Sequence, residues 1–142
     1  MSGQAYDIKS NLRFINYVVN EIRFKYNDQF KMESVKINFN VKKNIAYNEQ
    51  NNSAVVTLDV NVFDDCVENN YPFSFYVRVS GFFEVTNLES KDEKMLIEAN
   101  AIAILFPYVR SLISSFTVNA NVSPLILPPI NVLKLFQKEQ KD

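Results

Sequence analysis

The stretch FSFYVRVSGFFEV, residues 73–85, has the pattern of a strand in a β-sheet. Successive side chains of a strand point to opposite faces, so apolar residues at every second position predict one apolar face and one face polar enough to meet solvent. Gly81 then predicts a bulge or bend before the next two aromatic residues. The apolar positions, which form either a core or an oligomer interface, are Phe73, Phe75, Val77 and Val79.

The same alternation predicts strands on the N-terminal side of this stretch. Residues 35–41 and 56–62 each place apolar side chains at every second position. Residues 13–26 begin with helical spacing, but their second half alternates and is rich in β-branched and aromatic residues, which favours a strand. The polar residues 44–53 predict a loop between two antiparallel strands.

The second half of the chain changes to a helical period. Pro107 is tolerated only in a first turn, so the main helix is predicted from about Phe106 to about Val118. Three prolines, at 124, 128 and 129, predict an extended connection, and Asn131 is a plausible cap for a short last helix. Strands first and helices last predict an α+β fold, and the length predicts a single domain over residues 1–142. The apolar stripe of the main helix, predicted as core, is Ile102, Leu105, Phe106, Val109, Leu112, Ile113 and Phe116.

Composition argues against an enzyme, a metal site and a cofactor site. The sequence has no His and a single Cys, so nucleophilic triads and Cys/His metal sets are excluded, and Cys66 is predicted to be a bystander. The carboxylate pairs at 64–65 and 92–93 fall in predicted loops and are interpreted as solvated turn residues. A net charge of -1 with no basic block predicts no nucleic-acid binding.

Targeting signals and membrane spans are not expected. No N-terminal apolar segment has basic flanks, which predicts a cytosolic protein. The apolar stretch from Ile97 to Val109 is interrupted by Asn100 and Pro107 and is shorter than the roughly 20 residues that a bilayer requires. By contrast, 12 Phe residues are more aromatic surface than one small core needs, which raises the expectation of a wide apolar interface or groove.

Two motifs in the second half of the chain are specific in sequence. The run NAIAILFPYVR, residues 100–110, resembles the Leu-Phe-Pro-Tyr-Ala-Arg run that opens a long helix in the SecB family. About twenty residues later, PLILPPIN, residues 124–131, followed by Leu135-Phe136, is similar to the family's proline-flanked loop and terminal helix. The resemblance covers roughly residues 14–136, and in the strands it rests mainly on pattern.

The resemblance implies a four-stranded antiparallel sheet followed by two C-terminal helices, assembled as a homo-tetramer that is a dimer of dimers. It implies a bacterial cytoplasmic chaperone that works without ATP and holds unfolded or precursor proteins in apolar grooves for export. The implied oligomer-interface residues are Phe75, Val77 and Val79. The implied client-binding residues are Val35, Ile37, Phe39, Phe83, Leu125, Leu127, Leu133 and Phe136.

The resemblance also bears on partners. SecB docks on the translocase motor SecA through acidic positions; Glu21 keeps one of them, whereas two others align with Lys25 and Tyr76, the latter close to Arg78. Lost or reversed charges weaken a contact built on opposite signs. An antitoxin of a toxin-antitoxin system is therefore an alternative client. A small-ligand binding module and an antagonist of one fixed partner are the competing classes.

Overall fold

The computed structural model describes residues 11–86, 91–132 and 134. Within them the chain forms four strands and then a long helix. We number these β1 (Leu12–Tyr26), β2 (Phe39–Asn48), β3 (Ser53–Val62), β4 (Phe73–Val85) and α1 (Lys91–Asn119).

The four strands form one antiparallel sheet with the order β1-β4-β3-β2, which confirms the predicted sheet. Because β3 and β4 are central, their apolar positions face α1 and are almost fully buried. For example, Val60 pairs with Val77, and neither side chain has any exposed surface. We call the face that α1 covers the inner face and the opposite one the outer face.

The core lies between the inner face and α1. Leu105, Val109 and Ile113 of α1 are fully buried against the sheet. At one end of the sheet an aromatic cluster completes the core, with Phe116 of α1 at 4.9 Å from Phe75 and 5.3 Å from Phe24 between ring centroids. The predicted apolar stripe is thus the face of α1 that packs on the sheet.

Gly81 serves a different purpose from the predicted bend. It stays in register, opposite Val56 and Tyr17, and the irregularities of the sheet lie in β1, between Phe14 and Asn16 and between Val19 and Glu21. A Cβ on Gly81 would lie 3.0 Å from Leu105 Cδ1. The glycine therefore lets the helix approach the sheet closely.

The second predicted strand is wrong in its bounds. Residues 35–38 are outside the strand, whereas β2 continues to Asn48 through part of the predicted loop. The polar residues of 44–48 are paired with β3, down to Asn48 opposite Ser53. A tight turn closes this hairpin, with Asn52 at a φ of 52° and Gln50 N–H donating to Asn48 Oδ1 at 3.1 Å. Long-range pairing thus outweighs the low strand propensity of these residues.

The predicted start of the main helix is also wrong. The helix begins at Lys91, and Pro107 lies inside it. A proline removes the hydrogen bond to the carbonyl four residues earlier, and here that residue, Ala103, is exposed, so water can satisfy its carbonyl. Burial of Ile97 and Ala101 against the sheet outweighs the remaining cost.

The longer helix corrects the expectation of a short apolar stretch. Over Glu93–Asn119, α1 is long and apolar enough to cross a membrane by length and composition, and 39% of its most apolar window is buried within the protein. Core helices meet the same criteria. The predicted last helix lies largely outside the described residues, of which Val132 and Lys134 are helical.

Asn27 fastens the chain that follows β1 to the β3–β4 connection. Its buried side-chain amide donates to the carbonyls of Cys66 and Tyr71 at 3.0 and 2.9 Å. Nearby, Lys31 N–H donates to Asn70 Oδ1 at 3.0 Å. These contacts hold the segment that leads into β2.

Candidate functional site

The edge strand β2 carries apolar side chains that the core covers only in part. Its inner-face residues are half-buried, whereas the corresponding residues of the central strands are buried. Within the described residues no strand pairs with the free edge of β2. We call the apolar residues of this face the β2 margin; they are Phe39, Val41, Ile45 and Tyr47, and the half-buried Lys43 lies between Val41 and Ile45.

Backbone groups of the same residues face the free edge. Phe63 N–H donates to the Asn38 carbonyl at 2.9 Å, and these two residues continue the β2–β3 register as an opposite pair. Hydrogen-bonded and non-hydrogen-bonded pairs alternate in an antiparallel ladder, so Asn40 and Asn44 bond to β3 whereas Val41 and Ile45 direct their N–H and C=O groups outward. The β2 margin therefore offers backbone donors and acceptors together with apolar side chains.

The proline-flanked segment, residues 124–129, is held against α1 by its backbone. Thr117, fully buried, accepts a hydrogen bond from Leu125 N–H at 2.9 Å, and Ser114 donates to the Leu125 carbonyl at 3.0 Å. Arg110 Nε donates to the Leu127 carbonyl at 3.0 Å. This segment is therefore a fixed part of the surface beside the helix.

Anchoring at Leu125 and Leu127 leaves Ile126 pointing outward. The two leucines are 7% and 0% exposed, whereas Ile126 is 70% exposed. Three residues in extended conformation alternate in direction, so burying the outer two presents the middle one. Ile126 is thus the accessible apolar residue of the segment. Sequence reasoning missed it because the composition of a loop does not say which of its alternating side chains points outward.

The structure distributes the predicted client-binding residues over different environments. Val35 and Phe39 are half-buried and Ile37 is exposed, all three at or just before β2. Phe83 is buried in the core, as are Leu125 and Leu127, so the structure presents none of these three side chains at the surface. Leu133 and Phe136 lie outside the described residues.

The three residues predicted for an oligomer interface lie in the core of the single chain. Phe75, Val77 and Val79 are on the inner face of β4, directly beneath α1, with at most 1% of their surface exposed. In this arrangement their side chains have no surface to offer a second subunit, because α1 already covers them.

Exposed apolar side chains gather elsewhere, on the outward side of α1 and on β1. Tyr108 of α1 contacts Tyr17 of β1, with ring centroids 4.7 Å apart, so the two groups adjoin. We call this surface the α1–β1 patch. Its exposed apolar members are Tyr17, Val19, Ile104 and Tyr108, whereas Val18, opposite Ser80, lies on the outer face of β1.

The outer face of the sheet is polar and interconnected at the positions discussed for SecA. Asp59 accepts hydrogen bonds from the Tyr76 hydroxyl and from Arg78 Nε, the latter at 2.8 Å. Burial and the bond to Asp59 raise the pKa of Tyr76, and Asp59 raises the pKa of Arg78. Arg23 lies 4.3 Å above the Tyr76 ring and pairs with Glu21 at 3.2 Å. Tyr76, Asp59 and Arg78 are thus linked on this face, next to Arg23 and Glu21.

Solved structures share this fold. The SecB-like chaperone Rv1957 of Mycobacterium tuberculosis, solved with a ChAD peptide from the HigA1 antitoxin, superposes with a TM-score of 0.67, covering 89% of this chain and 92% of that one at 10% identity. A Streptococcus agalactiae protein of unknown function gives a TM-score of 0.53 at 18% identity, covering 83% and 97%. The fold is that of a SecB-like chaperone.

Sequence comparison gives the family. The protein-family model described as preprotein translocase subunit SecB matches residues 19–142. The protein-export protein SecB of Bartonella bacilliformis is 33% identical over 116 residues, covering 79% of this chain and 70% of the relative. An uncharacterized protein of Methanocaldococcus jannaschii is 40% identical over 126 residues, covering 87% and 81%. The chain belongs to the SecB family.

Proposed function

We propose that this protein is an ATP-independent chaperone that binds unfolded or precursor polypeptides along the β2 margin and keeps them competent for export. The proposal rests on one observation above all, which is that the β2 margin combines outward-facing backbone groups with half-buried apolar side chains. An unfolded chain exposes the matching features, and a folded protein hides them. An extended client segment would join the sheet as a further strand beside β2.

The binding free energy expected for each client side chain favours long clients over short ones. Each client side chain that becomes buried contributes about 1.5–3 kcal/mol before the cost of ordering is subtracted. A short contact therefore stays weak, whereas a long chain engages several margins of one oligomer and gains through effective concentration. No step of this mechanism requires a nucleotide.

Aggregation of a refolding client tests the proposal. We expect stoichiometric amounts of the protein to suppress light scattering by a chemically denatured client diluted into buffer without ATP, because the client's apolar segments are covered before they meet one another. An equal mass of an unrelated folded protein is the control. Unchanged scattering relative to that control would contradict the proposal.

A second candidate function is that of a chaperone dedicated to a single antitoxin. One observation favours it, which is that the Mycobacterium tuberculosis neighbour was solved with an antitoxin peptide. The resemblance adds that Lys25 and Tyr76 align with acidic positions of the SecA contact. Capture of clients from lysate separates the two functions. Many precursors together with SecA would favour export, and one antitoxin would favour the dedicated role.

We further propose that the chain assembles into an oligomer, a tetramer by the family's pattern, through the α1–β1 patch. A helix that is apolar on its outward side as well as its inward side is typical of one buried on both sides. Exposed apolar edge strands such as β1 also favour pairing with another chain.

Sedimentation measures this assembly. We expect the wild type to sediment as a multiple of the 16.4 kDa chain. Ile104→Lys should shift it toward smaller species, since a buried charge opposes association. Asn44→Lys, a cation placed on the exposed outer face of β2, is the matched control and should leave the mass unchanged. A monomeric wild type at micromolar concentration would contradict the proposed assembly.

A further inference from the structure

An apolar cleft lies between the N-terminal half of α1 and the adjoining end of all four strands, and the β2 margin reaches it through Ile45 and Tyr47. Eight of its ten lining residues are apolar, and the other two, Tyr47 and Glu98, are hydrogen-bonded to each other. The free space inside is about 10 Å³, which is hardly enough for one water molecule. The apolar lining residues are Leu12, Ile45, Ala54, Val56, Phe83, Val85, Ile97 and Ala101.

Tyr47 is held in this cleft by two residues of α1 that are one turn apart. Its hydroxyl donates to Glu98 Oε2 at 2.6 Å, and Lys94 Nζ lies 4.6 Å from the centre of its ring. Burial, the hydrogen bond to Glu98 and the charge of Glu98 all raise the pKa of the Tyr47 hydroxyl. The hydroxyl is therefore protonated at neutral pH and can donate to Glu98.

The position of Tyr47 on the free edge distinguishes it from the other aromatic residues beside the core. Within the part of the chain that the structure describes, the ring has a neighbouring strand on one side only, β3, where Ala54 is the opposite residue. The buried aromatics of β4, by contrast, have strands on both sides. A rotation of Tyr47 away from α1 needs no rearrangement of the sheet.

We propose that Tyr47 is a gate that occupies its own side-chain pocket, and that an apolar side chain of an extended client, of the size of leucine, replaces the ring when the gate opens. This inference rests on the proposed function, because it places the pocket beside the backbone groups to which the client strand would bond. The occupant must be apolar, because the pocket offers it apolar walls and no polar group apart from the Tyr47–Glu98 pair at its mouth. The Tyr47–Glu98 hydrogen bond then competes with client binding.

Two variants separate the contribution of the Tyr47 ring from that of its hydrogen bond to Glu98. Tyr47→Phe removes the hydrogen bond and keeps the ring, whereas Tyr47→Ala removes both and leaves the pocket open. Asn44→Ala, a truncation of an exposed residue on the outer face of β2, is the matched control. The probes are two fluorescein-labelled extended peptides that are identical except for a central Leu or Ser, and the readouts are association rate and affinity by fluorescence anisotropy.

We expect Tyr47→Phe to bind the Leu peptide about fivefold faster than the wild type, which corresponds to the net contribution of one hydrogen bond to the closed state. Tyr47→Ala should bind the Leu peptide more tightly by a similar factor, and neither variant should alter binding of the Ser peptide. Asn44→Ala should behave as the wild type with both peptides. If Tyr47→Ala fails to fold, Tyr47→Phe decides the question.

Equal or weaker binding of the Leu peptide by both variants would overturn the gate, because Tyr47 would then be a client contact or a simple core residue. In that case binding by the wild type would leave the proposed function standing. Absence of peptide binding by the wild type would overturn the proposed function itself.

Discussion

Replacing Ile126 with serine should weaken client binding about tenfold or more while leaving the free energy of unfolding nearly unchanged. The side chain is 70% exposed in the free protein, so its removal costs the fold little, within about 0.5 kcal/mol. Burying it against a client contributes about 1.5–3 kcal/mol, and each 1.4 kcal/mol is a tenfold change in affinity. The flanking leucines already hold Ile126 in place in the free protein, so client binding does not have to order it. We therefore expect the variant to lose the whole of this binding free energy.

Fluorescence anisotropy with a labelled unfolded client gives the affinity, and denaturant unfolding gives the stability. Val67→Ser is the matched control, because it truncates an exposed apolar residue of the β3–β4 connection. It should leave client affinity unchanged. Equal affinities of the Ile126→Ser protein and the wild type would remove the proline-flanked segment from the binding surface.

The sheet could be predicted from the sequence because its signal is local. Alternation along residues 73–85 and 56–62 identifies the two central strands, and their apolar positions are the ones that the structure buries. The sequence pattern does not state what covers an apolar face, since a helix of the same chain and a second subunit demand the same residues. The sequence therefore left it open whether Phe75, Val77 and Val79 belong to the core or to an oligomer interface. The structure puts α1 over them.

Bounds that depend on long-range contacts were not predictable. The polar end of β2 is a strand because β3 pairs with it, and α1 runs through Pro107 because its N-terminal half packs on the sheet. The predicted helix start followed from a local rule about proline. Tertiary packing over the whole length of the sheet outweighs that rule.

The candidate site was recognised as a region but not residue by residue. The proline-flanked segment was identified from its composition, yet which of its three apolar residues faces outward depends on hydrogen bonds from Arg110, Ser114 and Thr117. The Tyr47–Glu98 contact joins residues 51 positions apart, and no local pattern signals it.

The backbone of β2 provides the second large effect, and it bears on how a client is held. If a client adds a strand at the free edge, the outward amides of Phe39, Val41, Ile45 and Tyr47 gain hydrogen bonds to it. Amides that already bond to β3 gain none. Neighbouring residues of a single strand should therefore respond differently to the same client.

Residue-resolved amide hydrogen exchange, measured by NMR with and without saturating unfolded client, tests this central claim most directly. We expect exchange to slow about tenfold or more at Phe39, Val41, Ile45 and Tyr47, since a new backbone hydrogen bond must open before each amide exchanges. Asn40 and Asn44, bonded to β3 throughout, should change little. Uniform or absent protection along β2, with the client demonstrably bound, would contradict the account and place the client elsewhere on the molecule.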